Sequence, residues 1–251
     1  MEALHARRDG PVLYVTLSRP ETRNAFDATL IDELARTFTD VGDARCVVLA
    51  GDGPSFSAGA NLNWMRESIE LTSEENVADA LRFRAVLEAV DGCPAPVIAR
   101  VHGHALGGAA GLIACSDIAI AAPDTVFGFT EVRLGIVPAM ISPYVLARIG
   151  PGPARRYFLT GERFDAVEAH RIGLVHELAE DLDAAVTRTV GAILAGGPEA
   201  VRAAKWLVLD RPDGAETARR IAERRTSEEG QEGLRAFLER REPAWRAGAA
   251  P

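Results

Sequence analysis

The chain has 251 residues, 47% hydrophobic and 25% charged, an ordinary globular composition for one large domain or one domain with an appendage. Its net charge of −8 argues against nucleic acid, which needs a broad basic face, and no apolar run approaches the roughly 18 residues of a membrane span. The stretch Met1–Arg8 lacks the apolar centre of a signal peptide, and Cys46, Cys93 and Cys115 show no metal or redox spacing, so a cytoplasmic protein without a metal is expected.

Val12–Ser18 reads as a strand, rich in β-branched and aromatic residues and stopped at Arg19-Pro20. Asp27 then caps a helix whose apolar residues Leu30, Ile31, Leu34, Phe38 and Val41 recur at helical spacing up to Gly42. Cys46–Ala50 is a short buried strand. Thr72 to Glu75 opens a second helix, with Val77, Leu81, Val86, Leu87 and Val90 as its apolar set. Pro96–Val101 is a strand, followed by a glycine-rich turn and an apolar helix from about Gly108 to Ala114. Asp117–Ala121 and Val126-Phe127 are further strand segments. This alternation predicts an α/β fold with largely parallel pairing. From about Asp181 the signals are helical, with the last segment, Gly214–Arg240, expected to break near Gly230 and Gly233. The expected division is a core over 1–190 and a helical region over 191–251.

Two small-residue turns follow apolar strands. They are Ser57-Ala-Gly-Ala-Asn61 and Ala105-Leu-Gly-Gly-Ala-Ala-Gly-Leu112. Such turns let backbone approach a ligand closely. Two of them can aim two N–H groups at one developing oxyanion. Glu131, in Phe129-Thr-Glu, is a carboxylate among apolar neighbours, a setting that raises its pKa and suits it to proton transfer. The glycine spacing does not fit a dinucleotide fingerprint. His102 and His104 have no adjacent acidic or cysteine cluster to complete a metal site. No G-x-S-x-G elbow occurs, and Cys115 lies in an apolar helix, a poor place for a reactive thiolate.

The three segments, in this order, resemble the enoyl-CoA hydratase/isomerase (crotonase) superfamily. Phe56–Leu62 is similar to its F-x-A-G-A-D-L motif, with Asn61 in place of Asp. Val101–Gly111 is similar to its N-G-x-A-x-G-G-G stretch, and Phe127–Pro138 to the region of its catalytic acid. The resemblance implies the crotonase fold, a ClpP/crotonase-like spiral of ββα units with a C-terminal helical oligomerisation region. It also implies a homotrimer or dimer of trimers. Ala60 and Gly108 would supply the oxyanion N–H groups, and Glu131 would exchange the α-proton. The substrate would be an acyl-CoA thioester, with coenzyme A part of the substrate and no separate cofactor. Arg23, Ala25, Ala58, Asn61, Leu62, Gly107 and Gly111 would line its groove, and Phe237 and Arg240 would approach the nucleotide. Asn61 is still expected to cap the next helix. Trp64, Met65, Phe83, Met140 and Tyr144 are core or pocket residues, core being expected for most.

Gly111 is the main departure, because typical hydratases carry a second Glu there. One carboxylate suffices for double-bond isomerisation, whereas water addition also needs a group that positions water. Ala60–Met65 and Thr130–Tyr144 are nevertheless most similar to bacterial methylglutaconyl-CoA-type hydratases. That resemblance favours an enoyl-CoA hydratase. An enoyl-CoA isomerase and a non-catalytic acyl-CoA-binding protein remain open at this stage.

Overall fold

The computed structural model describes residues 3–246; Met1 and Glu2, part of the N-terminal stretch read above, and residues 247–251 lie outside it. The apolar runs of the first half form a six-stranded sheet in the order β1-β2-β3-β4-β6-β9. These strands are Leu4–Asp9, Val12–Leu17, Cys46–Gly51, Val97–Val101, Ile118–Ala121 and Glu177–Leu178. The β1–β2 pair is antiparallel and the other pairs are parallel. A smaller sheet, β5-β7-β8, is made of His104–Leu106, Val126–Gly128 and Arg163–Asp165.

Side chains of the large sheet alternate between two cores. Val47, Leu49, Val97 and Ala99 face one core, and Cys46, Val48, Ile98 and Ile120 the other. Both faces are dry, so these strands read as continuous apolar runs rather than as alternations. The first core is closed by α1 (Ala28–Thr39), α3 (Ser73–Asp91), α4 (Gly108–Cys115) and α5 (Ser142–Ile149). The second is closed by Leu182, Ala185, Val186 and Val190 of α8 (Leu182–Ala195). The junction at residues 190 and 191 therefore falls inside a helix that covers the sheet.

The winding is a repeated ββα step. Strand β4 lies in the large sheet, β5 in the small one, and α4 follows. Strands β6 and β7 repeat the pattern ahead of α5. The step at β3 is abbreviated: after it the chain makes two isolated parallel bridges, Ser57 to Ala105 and Ala60 to Phe26, and enters α2 (Leu62–Glu70). This common step brings the two small-residue turns side by side.

Helices α6 (Pro151–Thr160) and α7 (Ala166–Arg171) flank β8, and α9 (Pro198–Asp210), α10 (Gly214–Thr226) and α11 (Glu228–Glu239) complete the chain. The buried Lys205 ties α9 to the body through Asp117 at 2.8 Å. The Arg45 guanidinium donates to Leu194 O (2.8 Å), Gly196 O (2.7 Å) and Trp245 O (3.3 Å), fastening the C-terminal region to the start of β3.

Several expectations need correction. The first helix ends at Thr39, and Val41 is buried from a turn. Val77 and Leu81 are each 56% exposed, because only the C-terminal half of α3, with Phe83, Val86, Leu87 and Val90, reaches the core. The last helical segment breaks at Ser227, whose side chain accepts from Gly230 N–H and caps α11. Gly230 and Gly233 lie inside α11. A side chain at Gly230 would overlap Arg224 O, and one at Gly233 would press on the Trp245 ring at 2.9 Å. These glycines mark close approach, not helix ends.

Candidate active site

The first turn is held on both sides by backbone hydrogen bonds. Phe56 and Ser57 N–H donate to His102 and His104 carbonyls at 2.8 and 3.0 Å, and Leu106 N–H returns to Ser57 O at 3.2 Å. On the other side Ala58 N–H donates to Arg23 O (2.9 Å), Phe26 N–H to Gly59 O (2.8 Å) and Asn61 N–H to Phe26 O (2.9 Å). Gly59 N–H is taken by Ser57 Oγ. Ala60 is thus the one amide from Phe56 to Asn61 without a hydrogen-bond partner among the described residues. Gly59 has φ +93°, and a Cβ there would lie 3.0 Å from Leu106 O, so glycine lets the two turns touch.

The second turn presents the start of α4. Gly107, at φ +54° and ψ −120°, donates to Gly128 O at 2.9 Å. The first bond of the helix is Gly111 N–H to Gly107 O, and no side chain caps its start. Gly108 N–H is therefore unpaired among the described residues and carries the positive end of the helix dipole.

Glu131 begins a 3-10 turn, Glu131–Leu134, after β7. Its Oε1 lies 3.2 Å from where a Gly107 Cβ would stand, so the glycine makes room for the carboxyl. Its Oε2 is buried without a partner among the described residues. Burial pushes the Glu131 pKa up, offset in part by its own backbone. A carboxyl so placed holds a proton more readily than one in water and can donate as well as accept.

One cavity of about 350 Å³ gathers Ala60, Gly108 and Glu131 with Ala58 and Gly107. Trp64, Met65, Phe83 and Met140 also line it, so four of the five large residues weighed above belong to the pocket wall; Tyr144 does not line it. The polar residues Ser68, Asn76, Asp79 and Thr130 were not expected there. Asn76, Asp79, Ala80 and Phe83 follow helical i, i+3, i+4, i+7 spacing. That pattern was in the sequence, hidden by the apolar set at Val77 and Leu81.

Other expected site residues lie elsewhere. Asn61 caps α2, its side chain accepting from Asn63 N–H at 2.8 Å. Leu62 is 71% exposed, Ala25 is buried, and Arg23 is exposed, meeting the site through its carbonyl. Phe237 is 82% exposed on α11 and Arg240 ends that helix at φ 54°; neither lines this cavity. Gly111 is buried on the core side of α4, where a Cβ would lie 2.9 Å from Ile141 Cβ and overlap its Cγ2. Ile141 fills the place from which a side chain at 111 would start.

The two histidines serve the loop. His102 Nε2 meets Gly53 O at 2.8 Å and His104 Nδ1 meets Ser55 Oγ at 3.3 Å. No three His, Cys, Asp or Glu side chains gather to hold a metal among the described residues. Burial pushes the Cys46 thiol up to about 12 and that of Cys115 well above its usual value, as core cysteines require. No described helix is long and apolar enough to cross a membrane.

The sequence matches the enoyl-CoA hydratase/isomerase family over residues 7–248. The chain belongs to this family. It is an enzyme of hydratase/isomerase type with the crotonase fold. It is 35% identical to a crotonyl-CoA hydratase from Syntrophomonas wolfei, with 92% of each chain covered. It is 33% identical to a cyclohexa-1,5-dienecarbonyl-CoA hydratase from Thauera aromatica, covering 95% of this chain and 94% of the relative. The crystal structure of an enoyl-CoA hydratase from Shewanella pealeana superposes with a TM-score of 0.92, at 42% identity, covering 97% of this chain and 96% of that one.

Proposed function

We propose that this family member is an enoyl-CoA hydratase that adds water across the 2,3 double bond of an acyl-CoA thioester. The observation that carries the reading is the meeting of two amides unpaired among the described residues, Ala60 and Gly108, with the half-buried Glu131 in one cavity. The amides bind the thioester oxygen as negative charge develops on it, in a site whose donors need no reorganisation. With no acid at Gly111, Glu131 performs both transfers. As the water oxygen bonds to C3, its proton passes to the Glu131 carboxylate and the π electrons move into the enolate. Glu131 then returns that proton to C2, which regenerates the thioester carbonyl and the carboxylate. One molecule of water has been added, and the same group has served as base and acid.

The filled position at Gly111 favours a second reading. A single carboxylate that moves a proton between C2 and C4 interconverts 3-enoyl and 2-enoyl thioesters without water. Incubation with crotonyl-CoA and with a 3-enoyl-CoA in H₂¹⁸O separates the two. Label in a 3-hydroxyacyl product is the expected result; unlabelled double-bond migration alone would replace the hydratase reading with the isomerase one.

The protein acts on its acyl-CoA in the cytoplasm as a homotrimer or dimer of trimers, with coenzyme A as part of the substrate and no further cofactor. Residues 1–190 form the core of this reading and 191–251 the helical region that packs between copies. Exposed Phe237, Leu238 and Val208 support that packing. On this reading Phe237 and Arg240, which do not line the cavity of their own chain, approach the nucleotide bound by a neighbouring copy.

A further inference from the structure

The charges around the cavity bear on which acyl chains it accepts. Asp79 and Glu131 are the only charged residues in its lining among the described residues, and no Lys, Arg or His contributes. The remainder of the wall is backbone, apolar side chains and the neutral polar groups of Ser68, Asn76 and Thr130. The nearest cation to Asp79 is Arg82, at 3.9 Å, but Arg82 is 45% exposed and pairs more closely with Asp32, at 2.7 Å. Asp79 thus presents a carboxyl at the wall whose ion-pair partner, Arg82, stands outside the lining.

The position of Asp79 relative to the chemistry follows from α3. Phe83 touches Gly108, since a Cβ at Gly108 would lie 2.7 Å from Phe83 Cζ. Asp79 stands four residues earlier on the same helix face, about 6 Å along the axis at ~1.5 Å per residue. An acyl chain that ran from the thioester along this wall would pass Phe83 and Ala80 and come to Asp79 within a few carbons. A carboxylate at the end of such a chain would leave water for a site that offers a like charge and no cation.

We infer that the enzyme is built for uncharged acyl chains and discriminates against dicarboxylic acyl-CoA thioesters, with Asp79 as the discriminating residue. The inference rests on the acyl-CoA reading above and refines its substrate class. It sets the substrate apart from methylglutaconyl-CoA, whose acyl group carries a free carboxylate, despite the likeness of residues 60–65 and 130–144 to that subgroup.

The test uses two saturated thioesters that cannot be hydrated, hexanoyl-CoA and adipoyl-CoA, titrated calorimetrically into the full-length protein and into Asp79→Asn. The expected result is at least about tenfold tighter binding of hexanoyl-CoA, equivalent to ~1.4 kcal/mol. The Asn variant should narrow that ratio by strengthening adipoyl-CoA. Equal affinities for the wild-type protein overturn the inference. An unchanged ratio in Asp79→Asn overturns the role of Asp79. Tight hexanoyl-CoA binding with the expected ratio, but no hydration of any enoyl-CoA, would remove the hydratase reading and leave this one standing. Binding of neither thioester removes both.

Discussion

Gly111→Ala tests whether Ile141 occupies the place of a second acid. On an open helix the change would stabilise the chain by about 1 kcal/mol, the difference in helix propensity. Here the new carbon overlaps Ile141 Cγ2, lies 2.9 Å from Ile141 Cβ and meets Leu87 Cδ2 at 3.5 Å. Ile141 is 2% exposed and Leu87 fully buried, so neither can swing into solvent. Overpacking of this kind costs about 1–3 kcal/mol, and overlap with a branched carbon close to the backbone places it at the upper end. Set against the propensity gain, the net effect is a loss of about 2 kcal/mol. Ile141→Ala alone should cost about 2–5 kcal/mol through the cavity it leaves. In the double variant the overlapping Cγ2 is gone, so the two losses should sum to more than is observed, by about 1–2 kcal/mol. Urea denaturation of the four proteins measures this coupling. Additivity within about 0.5 kcal/mol would refute the steric argument and leave the absence of an acid at 111 without a packing cause.

Glu131→Gln should lower turnover about 10²–10⁴-fold, and a smaller loss in single-turnover assays would remove Glu131 from proton transfer. The same variant has a pH signature. Burial raises the Glu131 pKa, so the folded chain keeps a proton that the unfolded chain releases. Wild-type stability therefore falls as pH rises from the ordinary carboxylate range through the raised value, and the non-titrating Gln lacks that fall. The variant should gain melting temperature over wild type at neutral pH and lose the advantage below the ordinary carboxylate range; a constant difference across pH would contradict a buried carboxyl. Gly108→Ala presses on Phe83 and tilts the N–H it presents, which should cut kcat/KM by about 10²-fold with unchanged far-UV circular dichroism. Unaltered kinetics would exclude that amide from the mechanism. Lys205→Met leaves Asp117 without its ammonium and should cost about 3 kcal/mol, at the low end for a broken buried pair because Asp117 is partly exposed and still accepts from Val97 N–H. A loss under 1 kcal/mol in chemical denaturation would show that α9 docks by other means.

What the sequence displayed was whatever its physics wrote into side chains. Strands β3 and β4 are buried on both faces and appear as apolar runs; Asp27 and Thr72 appear as caps and are caps. The two small-residue turns were legible because small residues are needed wherever two backbones touch. Strand β1 was not, since five of its six residues are exposed and it is held by backbone pairing to β2. Strands β5 and β8 have three residues each, too few to establish a period. Asn76, which is exposed, and Asp79, which is half-buried, were not legible because polar residues on a helix look like a solvated face until a second element is placed beside them.

The cavity has two walls of different mechanical character. Gly108 and Gly107 belong to a wall continuous with α4, whose residues from Ala109 to Cys115 are all buried and whose far end is gripped by Arg148 through the carbonyls of Ile113, Ala114 and Ser116. The second wall comes from α2, which has no buried residue, and from Asn76, Asp79 and Ala80 of α3, with the buried Phe83 joining it to Gly108. Substitutions on the first wall disturb folding and chemistry together. Apart from the buried Phe83, the second wall offers exposed or half-buried positions, so on the proposed reading the acyl chain accepted can change while the two amides and Glu131 stay fixed.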